Sequence, residues 1–119
     1  MPESRPKYIY KVTKARLWQE AGQTGYLKGM PVDEADGFMH FSTAEQLPET
    51  LSRHFAGQSD LVLLAVRTAD IEIFLKWEPS RGGALFPHLY GELPHAAVEW
   101  DAEISVGKDG SAELPPGIE

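Results

Sequence analysis

The chain contains no cysteine, so any proton or group transfer it performs must come from imidazole, phenol, hydroxyl, carboxylate or basic side chains. In Phe38-Met39-His40-Phe41-Ser42 the alternation places Phe38, His40 and Ser42 on one face of an extended segment and Met39 with Phe41 on the other. His88 and Tyr90 are related in the same way within Leu85-Phe86-Pro87-His88-Leu89-Tyr90-Gly91, so the two side chains form a candidate pocket wall. Imidazole donates, accepts or relays a proton near neutral pH, which makes His40 and His88 the first candidates for acid–base work. Glu78 follows Trp77 at an expected strand end, where a carboxylate against an aromatic plate is expected to acquire a raised pKa and serve as acid, base or cation stabiliser. Arg81 with Gly82-Gly83 offers a guanidinium and turn N–H groups to an anion.

Each candidate also has a structural reading. His40 is equally a half-buried histidine bonded to a neighbouring strand, His88 and Tyr90 a pair packed with their polar tips in water, and Arg81-Gly82-Gly83 a plain turn. His54, beside Phe55 on an expected helix, reads as padding. His40, His88 and Glu78 are ligand types suited to zinc or another divalent ion, but their spacing carries no metal signature and no metal is assigned. The chain holds no H-E-x-x-H, P-loop, G-x-S-x-G or G-x-G-x-x-G pattern, which removes the usual metalloprotease, nucleotide-hydrolase, esterase and dinucleotide-dehydrogenase readings.

The elements that must position these groups follow from local pattern. Tyr8–Val12 has the content of a strand; Leu17, Trp18 and Ala21 lie on one helical face, with Thr13 placed to cap and Gly22 to terminate. Residues 23–37, with Gly25, Gly29, Pro31, Gly37 and an acidic Asp33-Glu34-Ala35-Asp36 stretch, read as a long loop covering a site. Thr43 and Gln46 form a capping box ahead of Leu47, Leu51 and Phe55, and Gly57 closes that helix. The continuous apolar run Leu61–Val66 marks a central strand covered on both faces. After a turn at 68–70, the spacing of Ile71, Ile73, Leu75 and Trp77 predicts another strand, and Pro87 predicts an edge position or bulge for the segment around His88. Val98, Trp100, Ala102, Ile104 and Val106 alternate with polar residues as a strand with one wet face. The expectation is one α+β domain over residues 7–106, with flexible termini at 1–6 and 107–119.

Bulk properties narrow the partners. A length of 119 residues fits one core, and 42% hydrophobic with 24% charged residues is globular. A net charge of −7 with scattered Lys and Arg argues against a long nucleic acid as the main partner and leaves a small ligand held by a few local groups. No apolar run reaches the ~20 residues of a membrane span, so neither membrane nor secretion is expected and the default location is the cytoplasm.

Two motifs, Gly37-Phe38-Met39-His40-Phe41-Ser42-Thr43 with Gln46, and Phe86-Pro87-His88-Leu89-Tyr90-Gly91-Glu92-Leu93, resemble the hallmarks of bacterial domain-of-unknown-function family nine-five-two. The resemblance runs on through Ile9-Tyr10, Trp18, Arg53, Phe55, 60–64 and Trp77-Glu78, with departures at Lys11, where the family often has histidine, Phe41, where cysteine is common, and Glu92, where proline is usual. It implies an ADP-ribosyltransferase-like fold: a split, mostly antiparallel sheet with two or three short helices. It also implies a nucleotide-like ligand, with NAD a candidate substrate rather than a resident cofactor. His40, Glu78 and His88 would then be catalytic, and Ser42, Arg53, Arg81 and Tyr90 would bind ligand. The alternative is a non-catalytic module of the same fold that binds a small ligand or a protein.

Overall fold

The apolar run becomes the strand around which the two cores form. A computed structural model describes residues 6–118, the side chain of Arg81 excepted. Strand β4 (Leu61–Arg67) lies between β1 (Tyr8–Lys14) and β8 (Val98–Ile104), antiparallel to both. Its side chains alternate between two buried faces, which is why the run carries no polar residue. Val62, Leu64 and Val66 join a cluster with Ile9, Leu17 and Phe41. Leu61, Leu63 and Ala65 join a second with Tyr10, Leu47 and Leu51. Strand β8 shows the expected wet and dry alternation.

Helix α1 (Ala15–Thr24) buries Leu17 and Ala21 against the first cluster. Its ends differ from expectation. Thr13 remains inside β1 opposite Val62, because the β1–β4 ladder holds the chain extended through Lys14. Gly25, not Gly22, stops the helix, taking φ 92° and bonding its N–H to the Ala21 carbonyl. Helix α3 (Leu47–His54) buries Leu47 and Leu51, and the Thr43–Gln46 box ahead of it is reciprocal: each backbone N–H donates to the other's side-chain oxygen, at 3.0 and 3.2 Å.

The segment 23–37 is not a plain loop. It contains β2 (Tyr26–Leu27), paired with β7 (Leu93–Pro94), and helix α2 (Pro31–Asp36). Pro31 opens that helix and Gly37, at φ 84°, closes it.

A second three-stranded sheet orders β3 (Met39–His40), β6 (Leu85–Leu89) and β5 (Leu75–Pro79), with every pairing antiparallel. Here Pro87 sits in the central strand in unbroken register, correcting the edge or bulge expected for it. Phe41 donates its N–H to the Pro87 carbonyl at 3.0 Å, and proline has no N–H to return the bond. The ladder therefore ends there. The chain turns instead to β1, where Tyr10 and Ser42 exchange backbone bonds of 2.8 and 2.9 Å in a lone bridge that joins the two sheets.

The expected strand at 71–77 begins only at Leu75. A helical turn α4 (Thr68–Ile71) and a 3₁₀ turn Glu72–Phe74 precede it, leaving Ile71 buried but Ile73 85% exposed, so the apparent period of two was not a sheet face. The C-terminal stretch, expected as a flexible tail from 107, folds back: Gly107 N–H donates to Ser111 O at 2.8 Å, and Ala112, Leu114 and Ile118 pack on the second cluster. Most of the other expected flexible end, residues 1–5, lies outside the described residues. The fold is α+β with antiparallel sheets and short helices. Among the described residues no helix is long and apolar enough to cross a membrane.

Because Leu64 is fully buried beneath both flanking strands, Leu64→Ala is expected to cost about 2–5 kcal/mol of stability, measured by urea unfolding; a loss below 1 kcal/mol would contradict the packing described.

Candidate functional site

The pairing of β3 with β6 sets His40 opposite His88, so the two motifs share one sheet face. The imidazole centroids lie 5.6 Å apart. Phe38 packs beside both rings, stacked on His88 at 4.1 Å and tilted against His40 at 4.7 Å. Between this face, β1 and helices α2 and α3 is a cleft of about 440 Å³, with His40, Ser42, Thr50, Phe55, Phe86 and His88 among its walls. Ser42 and Thr50 hydroxyls bond one another there at 2.8 Å.

His88 is fixed by a carboxylate. Its Nδ1 lies 2.8 Å from Glu78 Oε1, and the Tyr90 hydroxyl donates to the same oxygen at 2.7 Å. The Tyr90 and His88 hydrogen bonds hold the Glu78 carboxyl below the ordinary range, and Glu78 in turn raises the Tyr90 phenol. This reverses the elevation expected from Trp77: donors to the ionised form outweigh the desolvation of the carboxyl. Neither Glu78 nor Tyr90 lines the cleft, whereas His88 does. The Nδ1 edge of His88 thus faces its anchor, its Nε2 has no hydrogen-bond partner among the described residues, and the residue itself lines the cleft.

His40 is held differently. Nδ1 lies 2.7 Å from Asp33 Oδ1 and Nε2 lies 2.9 Å from Asp36 Oδ2, so each ring nitrogen has a carboxylate partner. Asp33 is buried and accepts four bonds: from Lys11 Nζ at 2.7 Å, the His40 ring, the His40 backbone N–H at 3.0 Å and the Met30 N–H at 2.8 Å. Burial alone would raise its pKa; the His40 bond, the Lys11 charge and the remaining donors overcome that and hold it well below the ordinary carboxylate range. Burial lowers the Lys11 ammonium, against the pull of Asp33. Lys11 Nζ also donates to the His40 carbonyl at 3.1 Å.

The candidates therefore divide. His40, Ser42 and His88 meet in the cleft, with Glu78 and Tyr90 behind His88. Arg53 stands apart, exposed, 3.2 Å from Glu49 and lining a separate hollow of about 350 Å³. The Arg81 side chain lies outside the described residues; its backbone forms a turn with Gly82 and Gly83, both at positive φ, and the Gly83 N–H donates to Ser80 O. The zinc reading does not assemble: Asp33 and Asp36 take His40, Glu78 takes His88, and no group of three described His, Asp or Glu is disposed to hold an ion. Sequence reasoning missed Lys11, Asp33 and Asp36, although Pro31 and Gly37 bracket the last two as a helix start and stop.

Asp33 binds its proton more weakly folded than unfolded, so its stabilisation is complete above the unfolded carboxyl pKa of about 3.9 and is lost as pH falls towards the lower folded value. Asp33→Asn strands the buried Lys11 charge and is expected to cost about 3–5 kcal/mol at pH 7, with a flatter acid limb in unfolding curves taken from pH 6 downward. In Tyr90→Phe the Glu78 carboxyl loses its leading donor, so its NMR titration midpoint should rise; an unchanged midpoint would show that the phenol does not hold it.

The family model described as "Protein of unknown function (DUF952)" matches residues 12–101. The X-ray structure of protein CC0527 from Caulobacter crescentus is 45% identical, with 90% of this chain and 94% of that chain covered and a TM-score of 0.84. A double mutant of the same protein gives 44% identity, the same coverage and 0.84. Its solution NMR structure gives 45% identity, 88% and 90% coverage and 0.76. No match is found among curated proteins. With three-quarters of its length matched and a related bacterial protein similar in fold over 90% of it, the chain belongs to the DUF952 family.

Proposed function

We propose that the chain is a small enzyme in which His88 moves a proton at a hydroxyl of a ribose-bearing ligand, NAD or a related nucleotide being the candidate, held beside His40 and Ser42. The observation that carries this reading is the division of the His88 ring: Nδ1 engaged by Glu78, Nε2 with no partner among the described residues. An ionised Glu78 demands the proton on Nδ1, which leaves the neutral ring a lone pair on Nε2, the arrangement of a general base. Glu78 acts through His88 and is a positioning residue in this scheme, with Tyr90 fixing its carboxylate. The cleft volume suits a small ligand. The ADP-ribosyltransferase-like architecture implied by the family resemblance supplies the ribose by analogy of fold.

One observation favours a binding module instead. His88 is 6% exposed and lies against Phe38, which restricts approach to its ring. The two readings separate on turnover. Incubated with NAD, the wild-type protein is expected to release nicotinamide, the C1′–N bond breaking as His88 draws the proton of the adjacent ribose hydroxyl and water adding at C1′, and to melt at a higher temperature. His88→Ala should lower turnover by about 10²–10⁴-fold while retaining the melting shift. A shift without turnover in the wild type assigns the binding module; no shift with NAD, ADP-ribose or a 2′-phosphorylated nucleotide removes this ligand class.

A further inference from the structure

The cleft holds two acceptor atoms with no hydrogen-bond partner among the described residues, one on Asp36 and one on His88. Two of the Lys11 Nζ donors go to Asp33 and the His40 carbonyl, and the two His40 ring nitrogens face Asp33 and Asp36. The two carboxylates of the cleft differ in the same accounting. Asp33 is saturated, with Oδ1 receiving the His40 ring and backbone N–H and Oδ2 receiving Lys11 and Met30. Asp36 is half-exposed at the end of α2, uses only Oδ2, and its Oδ1 has no partner among the described residues. The second open acceptor is His88 Nε2.

We infer that Asp36 is a specificity-determining residue that selects a ligand by its adjacent hydroxyl groups, with Oδ1 receiving the O–H of one hydroxyl of a vicinal diol while His88 Nε2 accepts the proton of the other. The inference rests on the proposed function, whose ligand it narrows. His40 holds Asp36 through Nε2 and is itself held by buried Asp33, so the accepting oxygen is anchored through two successive hydrogen bonds. A carboxylate oxygen accepts from a hydroxyl in a charge-assisted bond, which is stronger than a neutral one. The same carboxylate repels an anion, so a nucleotide bound here engages through its sugar, with its phosphates directed away from Asp36.

The test uses adenosine, 2′,3′-dideoxyadenosine and inorganic pyrophosphate as probes, read by calorimetry and by the ring ¹⁵N resonances of His40 and His88 in the intact protein. Adenosine is expected to bind and to move both rings, and removal of the diol to weaken binding at least tenfold. Asp36→Asn, at a half-exposed position, should fold normally and bring adenosine and its dideoxy analogue within about twofold of each other. Equal binding of the two nucleosides to the wild type, or pyrophosphate displacing adenosine, overturns the role of Asp36 and leaves the His88 proposal standing. If no probe moves either ring, the ribose-site proposal fails and this inference falls with it.

Discussion

The buried carboxylate of Asp33 is the constraint on which the site depends. A charge removed from water is tolerated only when opposite charge and donors surround it, and here they come from three separate elements: Lys11 on β1, the His40 ring and backbone at β3, and the Met30 N–H at the start of α2. Each of those groups is oriented by satisfying one anion. Lys11 cannot leave without stranding Asp33, and α2 cannot lift without breaking the bonds at its first turn. The stretch 31–36 therefore needs no amphipathic period of its own to stay helical; tertiary bonds hold it where six residues alone would not nucleate.

A second constraint comes from a missing donor. Pro87 accepts one bond from Phe41 and cannot return another, so β3 stops after two residues and the chain passes to β1 through the Tyr10–Ser42 bridge. The cleft lies at this change of partner, where Tyr10, Phe41 and Ser42 all contribute to its wall. In a residue with an N–H the ladder would have a reason to continue, and the two sheets would have less reason to part at the histidines.

Much of this was legible in the residues. The parity of Phe38, His40 and Ser42, and that of His88 and Tyr90, placed the chemistry on common faces, and the uniform run at 61–66 announced a strand buried on both sides. These signals are local and periodic, and neighbours reinforce them. What escaped was held by remote partners. Asp33 reads as one acidic residue among several until Lys11, 22 positions away, is seen against it. Ile73 kept the spacing of a strand yet is turned outward, because β5 finds its partner only from Leu75. Pro87 was assigned an edge on its lost donor alone, whereas the register shows that its donor side meets the point where β3 ends, so the loss shapes the sheet without excluding it from the centre.

The two histidines show why residue type and strand face do not by themselves assign a role. His40 and His88 are register partners with nearby rings, and each has a carboxylate at Nδ1. They differ at the second nitrogen. His40 meets Asp36 there, so its ring is bonded at both ends and serves best to hold charge and geometry in place. His88 has a single anchor, itself kept ionised by Tyr90, and retains one nitrogen for exchange with whatever enters the cleft. A proton carrier needs one fixed end to set its tautomer and one open end to react. By that criterion the similarity of the two motifs conceals a division: one imidazole builds the wall, and the other faces the space that the wall encloses.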